Sequence, residues 1–325
     1  MSKEIAKIDR LDRRLLLLLD ENSRQSYRAI AKKLGVPAET VRYRINSLVD
    51  KGVIAGFVSL IDAGKLGNTY YKILIKFHNV DEEQLAAVVQ DLIDHEAVNW
   101  IARFDGIYDI GFTIRVQKVY ELSLFIDELK CAYYRYINQL TFAVNIKVDF
   151  LLRNYLLNRK PRKRLHAAYS TSEEVLQVDQ ADLAILRALA DDTRISASDI
   201  AERVHLTSET VRQRIDRLEK VGIIQRYRIY LNNSKLGQNN YYVFVYLNYS
   251  SEQRRRLFVE YCKQIPELVY YIKALGEWDY ELSFEVSTYE KYRALMMEMT
   301  TEFSDIVRNY IGMPISEIYK FTIKP

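Results

Sequence analysis

Seven residues recur almost unchanged at an offset of 170 positions: ETVRYRI at 39–45 and ETVRQRI at 209–215. On a helix, Val41, Ile45 and Leu48 fall on one face at spacings of four and three, and Arg42, Tyr43 and Asn46 fall on the other. The matching face of the second run carries Arg212, Gln213 and Asp216, with Arg217 following. Arginine forks onto guanine, asparagine or glutamine onto adenine, and further Arg and Lys neutralise phosphates, so such a face suits the major groove of double-stranded DNA. Arg44 and Arg214 lie one position from the apolar seam. There they can brace the domain, touch a phosphate or read a base.

A reading helix has to be held by others, and the flanking sequence supplies them. Asp9 precedes an apolar pattern at Leu11, Leu15, Leu18 and Leu19, with Asp12 three residues behind it. An Asp cap and a second acid in the first turn suit the positive end of a helix. Asp179, Asp182, Ile185, Leu186 and Leu189 repeat the pattern. A second helix is expected at Tyr27 to Leu34 and at Ser198 to Val204, and a third from Ala38 to Lys51. Two short helices joined by a tight turn, the second apolar on one side and armed on the other, form a helix-turn-helix.

Without a gap, the same offset pairs Lys65-Leu66-Gly67 with Lys235-Leu236-Gly237, Gly106 with Gly276 and Asp109 with Asp279, and 21 of the 64 positions from 8 to 71 are identical. A period this long marks duplicated domains, since solenoid repeats run at about 20–50 residues. Behind each trio, β-rich runs such as TYYKILIKF and NYYVFVYLNY alternate with helical patterns in the order βαββαβ, a ferredoxin-like split sandwich. The expected class is therefore α+β, with two winged helix-turn-helix domains at 1–56 and 178–226 and two ferredoxin-like domains at 57–150 and 227–325. Residues 151–177, with the basic cluster Arg159, Lys160, Arg162, Lys163 and Arg164, read as a tether.

Composition narrows the function. The 325 residues are 49% hydrophobic and 28% charged, with only 11 glycines; neither GxG nor GxxxxGK[ST] occurs, so the dinucleotide fingerprint and the P-loop are absent. Cys131 and Cys262 are isolated, and the histidines at 78, 95, 166 and 205 have no metal-ligand spacing. No catalytic constellation, metal site or cofactor motif is read. No apolar run approaches the roughly 20 residues that span a bilayer, so a soluble cytoplasmic protein, associated with the nucleoid when bound to DNA, is expected. The net charge of +4 is unevenly placed: residues 1–56 carry +5, 151–177 carry +4 and 178–226 carry −1. Counterion release should favour the first reading head.

The chain resembles the Lrp/AsnC family of prokaryotic transcription regulators, present twice. The resemblance rests on Asp9-Arg10-Leu11-Asp12, on SYRAIAKKLGVPAETVRYRINSLVDKGVI, on RISASDIAERVHLTSETVRQRIDRLEKVGII, and on the loops DGIYD and GEWD. It implies DNA-binding heads, αβ domains that oligomerise and sense ligand, and control by an amino acid or related small molecule. Ser208 then joins the DNA-binding set, since the family expects Ser or Thr at the start of the reading helix; the first unit has Pro37-Ala38 instead. The effector neighbourhood would be Gly106, Tyr108 and Asp109 together with Gly276, Trp278 and Asp279. A Gly-x-aromatic-Asp run equally suits a tight hairpin.

Because such proteins normally carry one unit and dimerise, a tethered pseudo-dimer is expected here, with higher homo-oligomers also open. Siroheme decarboxylases share the architecture and supply the enzyme alternative. They would place a histidine in the strand before the hairpin, and neither the stretch from Val98 to Arg103 nor its copy from Leu268 to Lys273 contains one. A low-specificity architectural DNA binder, using the basic linker on phosphates, is the third reading.

Overall fold

A computed structural model describes residues 5–159, 167–171 and 174–322. The first half runs α1 (Arg10–Glu21), α2 (Tyr27–Leu34), α3 (Ala38–Asp50), β1 (Ile54–Ile61), β2 (Thr69–Phe77), α4 (Glu82–Asp94), β3 (Val98–Phe104), β4 (Ile110–Val116), α5 (Val119–Tyr133), β5 (Ile137–Phe150) and the short β6 (Ala167–Ser170). The second half repeats this as α6 (Gln180–Asp191), α7 (Ala197–Val204), α8 (Ser208–Lys220), β7 (Ile224–Leu231), β8 (Asn239–Leu247), α9 (Glu252–Cys262), β9 (Leu268–Gly276), β10 (Tyr280–Val286), α10 (Tyr289–Glu302) and β11 (Val307–Phe321). No helix among the described residues is long and apolar enough to cross a membrane.

Both first helices start at the caps the sequence suggests. The Asp12 N–H donates to Asp9 Oδ1 at 2.8 Å and the Asp9 N–H donates back to Asp12 at 3.1 Å; Asp179 and Asp182 repeat the box. Leu15, Leu16 and Leu19 are fully buried, so the apolar stripe faces a core. That core is shared between the halves. Ile229 and Leu231 of β7 pack among the helices of the first head, and Val58 and Leu60 of β1 lie in the cluster around α6 to α8.

The exchange follows from a two-stranded antiparallel ribbon of β1 and β7, in which Val58 pairs with Arg228, its own copy at the 170 offset. The pseudo-two-fold axis therefore passes through this pair. Neither head closes its core alone, so the boundaries at 56 and 226 cut through shared structure.

The αβ regions each have the expected four strands, in the orders β3-β4-β2-β5 and β9-β10-β8-β11. Helices cover only the outer faces, with α4 and α5 on one sheet and α9 and α10 on the other. The inner faces meet and close into an eight-stranded barrel, because the long β5 also pairs with β9 and the long β11 with β3. Asn145 opposite Ala274 and Ile315 opposite Phe104 are the same contact seen from the two halves. The pseudo-dimer thus forms within one chain.

The tether reading of 151–177 needs correction. Leu151, Leu152 and Leu156 are buried, Arg153 is 3% exposed, and β6 adds to the sheet against β5. Apolar side chains and strand hydrogen bonds hold both described ends of the segment, which a solvated linker would lack. Lys160, Arg162, Lys163 and Arg164 of the basic cluster lie outside the described residues.

Candidate nucleic-acid interface

The third helix of each head presents the expected faces. In α3, Val41, Ile45 and Leu48 are buried while Arg42, Tyr43 and Asn46 are exposed, Tyr43 at 74%. In α8, Val211, Ile215 and Leu218 are buried and Arg212, Gln213, Asp216 and Arg217 are exposed. Glu39 holds Arg42 at 2.8 Å and Glu209 holds Arg212 at 3.3 Å. Exposed pairs of this kind are worth under about 1 kcal/mol, so both arginines can exchange the glutamate for a phosphate or base. Gln213 donates to Glu209 at 3.3 Å. Ser208 is the first residue of α8, and the capping itself falls to Thr207, whose hydroxyl accepts from the Thr210 N–H at 3.1 Å. Pro37 at the same place in α3 offers no side-chain cap.

Arg44 and Arg214 are placed in braces. Arg44 Nη1 lies 2.7 Å from Asp9 and 2.8 Å from Asp12, and Arg214 Nη1 lies 2.8 Å from both Asp179 and Asp182. Each ties the third helix to the cap of the first. The Asp12 N–H, followed by Arg44, holds the Asp9 carboxyl below its usual range, and Asp179 behaves in the same way. Arg217 is also drawn to Asp182.

A further pair of residues, which the motif did not flag, connects the heads. Arg24 donates to the Thr193 carbonyl at 2.6 Å and stands over the Tyr227 ring at 5.2 Å; Arg194 donates to the Ser23 carbonyl at 2.5 Å and stands over Tyr27 at 5.0 Å. The two arginines are copies of each other, each reaching into the opposite head. Their signal was the arginine preserved at the 170 offset in the loops ENSRQS and DDTRIS, which otherwise share only the capping serine.

The loops proposed for an effector lie at the ends of the barrel seams. Asp109 accepts from the Phe77 N–H at 2.7 Å and pairs with Lys76 at 2.8 Å, and Asp279 accepts from the Leu247 N–H at 2.7 Å. Both carboxylates therefore pin a hairpin to the neighbouring strand. Tyr108 and Trp278 are buried, donating to Thr141 and to Glu281. A Cβ on Gly106 would come within 2.8 Å of Met313, and one on Gly276 within 3.0 Å of Ala143. The glycines serve the close approach of the other half, and Gly276 adds a φ of +153°.

A family model described as winged helix-turn-helix DNA-binding matches residues 8–55 and 178–225, the two observed heads. An HTH-type transcriptional regulator of Pyrococcus horikoshii is 38% identical over 124 residues, 38% of this chain and 76% of that protein. The Bkd operon transcriptional regulator of Pseudomonas aeruginosa is 32% identical over 126 residues, 38% of this chain and 82% of that protein. Over the whole length, the crystal structure of the siroheme decarboxylase NirDL superposes with a TM-score of 0.62 at 13% identity, covering 97% of this chain and 94% of that one, which is a likeness of fold. Since each regulator is matched over more than three quarters of its length by a stretch shorter than half of this chain, the chain belongs to the Lrp/AsnC family of HTH-type transcriptional regulators and carries that unit twice.

Proposed function

We propose that this DNA-binding regulator acts as a single-chain pair of unlike reading heads on an operator with two unlike half-sites. One observation supports the reading above others: the crossed β1–β7 ribbon fixes two heads about a pseudo-two-fold axis while their exposed faces differ, Arg42, Tyr43 and Asn46 against Arg212, Gln213, Asp216 and Arg217. Identical heads related by two-fold symmetry read a palindrome, with half-sites about one helical turn, roughly 34–36 Å, or a multiple apart. Unlike heads select unlike sequences at the same spacing. Selection of bound sequences from a random duplex pool tests this, and recovery of a perfect palindrome as the best site overturns it.

We assign any amino-acid effector contact to the second loop, where the Asp279 side chain is exposed and the Lys76 partner of Asp109 has no counterpart (Tyr246). We also read the chain as working without a catalytic centre of its own. Strands β3 and β9, where a decarboxylase of this architecture would carry a histidine, hold none between Val98 and Arg103 or between Leu268 and Lys273.

A further inference from the structure

Inside the barrel, where the two halves meet, lies a chamber of about 60 Å³ lined by Lys72, Asn99 and Asn145 of the first half, with Trp100, Tyr242 and Tyr270 among its aromatic walls. Lys72 is 2% exposed, and its nearest carboxylate oxygen, on Glu281, stands 3.8 Å away, beyond hydrogen-bond length. Glu281 is already held by the Tyr242 hydroxyl and by Trp278 Nε1 at 2.9 Å. The faces of Trp100 at 3.6 Å and Tyr242 at 4.8 Å cover the ammonium on two further sides. An ammonium carries three donors, and no hydrogen bond from this one is found among the described residues. Asn99 and Asn145, 5% and 2% exposed, each leave the amide oxygen without a hydrogen-bond partner.

Buried polar groups in this state are rare, because each forfeits its hydration without compensation. The barrel itself does not require them. At the same places the second half carries Tyr242, Val269 and Ile315 for Lys72, Asn99 and Asn145, and it closes just as well. Burial pushes the Lys72 ammonium down to about 8 against the pull of Glu281, the position of a cation short of partners.

We infer that this chamber is a binding site for a short monocarboxylate, whose oxygens take the Lys72 ammonium and the amide groups of Asn99 and Asn145 while its alkyl end meets the aromatic wall. A carboxylate only accepts, so this reading has both amides turn the NH2 toward the ligand, which the like shape of the two amide ends permits. The volume exceeds the roughly 10–15 Å³ that one water requires, and it suits a small molecule of acetate size. Nucleotides and tetrapyrroles need sites of about 300 Å³ or more. The site is separate from the hairpin loops at residues 106–109 and 276–279. Its occupancy is read without DNA, so it stands or falls independently of the operator reading.

Titration of the full-length protein with carbon-13-labelled acetate, followed by NMR and calorimetry, tests the assignment. We expect saturable binding with one acetate per chain, no response to methylammonium, and at least a tenfold loss of affinity in Lys72→Met. Asn145→Ile, which copies Ile315 of the second half, should also lose at least tenfold while the far-UV dichroism stays that of the parent. Absence of saturable binding, which would mean a chamber that holds water only, overturns the inference. So does equal affinity in the parent and in a folded Lys72→Met or Asn145→Ile protein.

Discussion

Asp20→Ala should cost about 3–5 kcal/mol, the usual effect of removing one partner from a buried ion pair. Asp20 closes α1, is fully buried, and accepts from Arg228 of β7 at 2.7 and 2.8 Å, from Arg153 Nη1 at 2.8 Å and from the Arg153 N–H at 3.0 Å. Arg153 continues to Glu285 of β10 at 2.9 Å, so one network joins the first head, the ribbon and the barrel. Alanine would leave Arg228 buried with the Leu151 carbonyl as its remaining acceptor in this network. The second head meets the ribbon at the same place with Ala190 and Val58, which need no charge. Asp20→Ala/Arg228→Val copies that solution, leaves the Arg153–Glu285 pair intact, and should recover at least about 2 kcal/mol. Urea unfolding, followed by the fluorescence of Trp100 and Trp278 in the barrel and by dichroism for the helices, measures both. Burial works to raise the Asp20 carboxyl, and Arg228 and Arg153 more than reverse it, leaving it lowered. A lowered carboxyl gives stability that is present above the unfolded value, near about 3.9, and is lost as pH falls through the lower folded value. The double variant should lack that acid-dependent part. A single variant costing under about 1 kcal/mol, or a double variant no more stable than the single, would refute the reasoning.

Two further outcomes concern DNA. Arg42→Ala should weaken binding more than Arg212→Ala, because the first head carries +5 and the second −1, and each phosphate left without its arginine should lower the salt slope by about 0.9; the opposite order in salt-titrated binding curves contradicts the charge argument. Arg24→Ala/Arg194→Ala removes three charged hydrogen bonds between the heads and should weaken binding to the full operator by at least about tenfold, about 1.4 kcal/mol, while affinity for an isolated half-site is unchanged. An equal loss on both duplexes would show that these arginines do not set the spacing of the heads.

The heads were legible because helix periodicity, caps and the 170-residue repeat all agreed. Val41, Ile45 and Leu48 could only be a seam, and Asp9 with Asp12 marked a helix start. Arg44 was open between bracing and phosphate, since a residue one step off the seam reaches either; distance to Asp9 and Asp12 decided it. The barrel was not legible in its closure. Alternation along β2 placed Tyr71, Ile73 and Ile75 on one face and Tyr70, Lys72 and Leu74 on the other, but no local rule says whether the second face meets helices, solvent or a second sheet. Asp20 was invisible for a similar reason. Of the two adjacent acids in the last turn of α1, Asp20 and Glu21, both read as solvated until the chain from residue 153 and the strand at 228 are brought to Asp20.

The buried charges also explain why the two halves belong to each other. Lys72, Asp20, Arg228, Glu281 and Glu285 have Tyr242, Ala190, Val58, Gly111 and Arg115 at the matching positions, so none of them is repeated. Two first halves paired with each other would bury two Asp20 carboxylates beside Val58 and two Lys72 ammoniums with glycine in place of Glu281. Two second halves would set Arg228 against Arg228 at the centre of the ribbon, where like charges directly opposite destabilise. Only the mixed pair brings Asp20 to Arg228 and Glu281 to the side of Lys72, and removing a partner from such a site costs far more than the pair contributes. The covalent connection then raises the effective concentration of that mixed pair above any exchange between chains. Core chemistry that forbids symmetric pairing holds the two unlike reading faces together, so the operator asymmetry we propose rests on the interior as much as on α3 and α8.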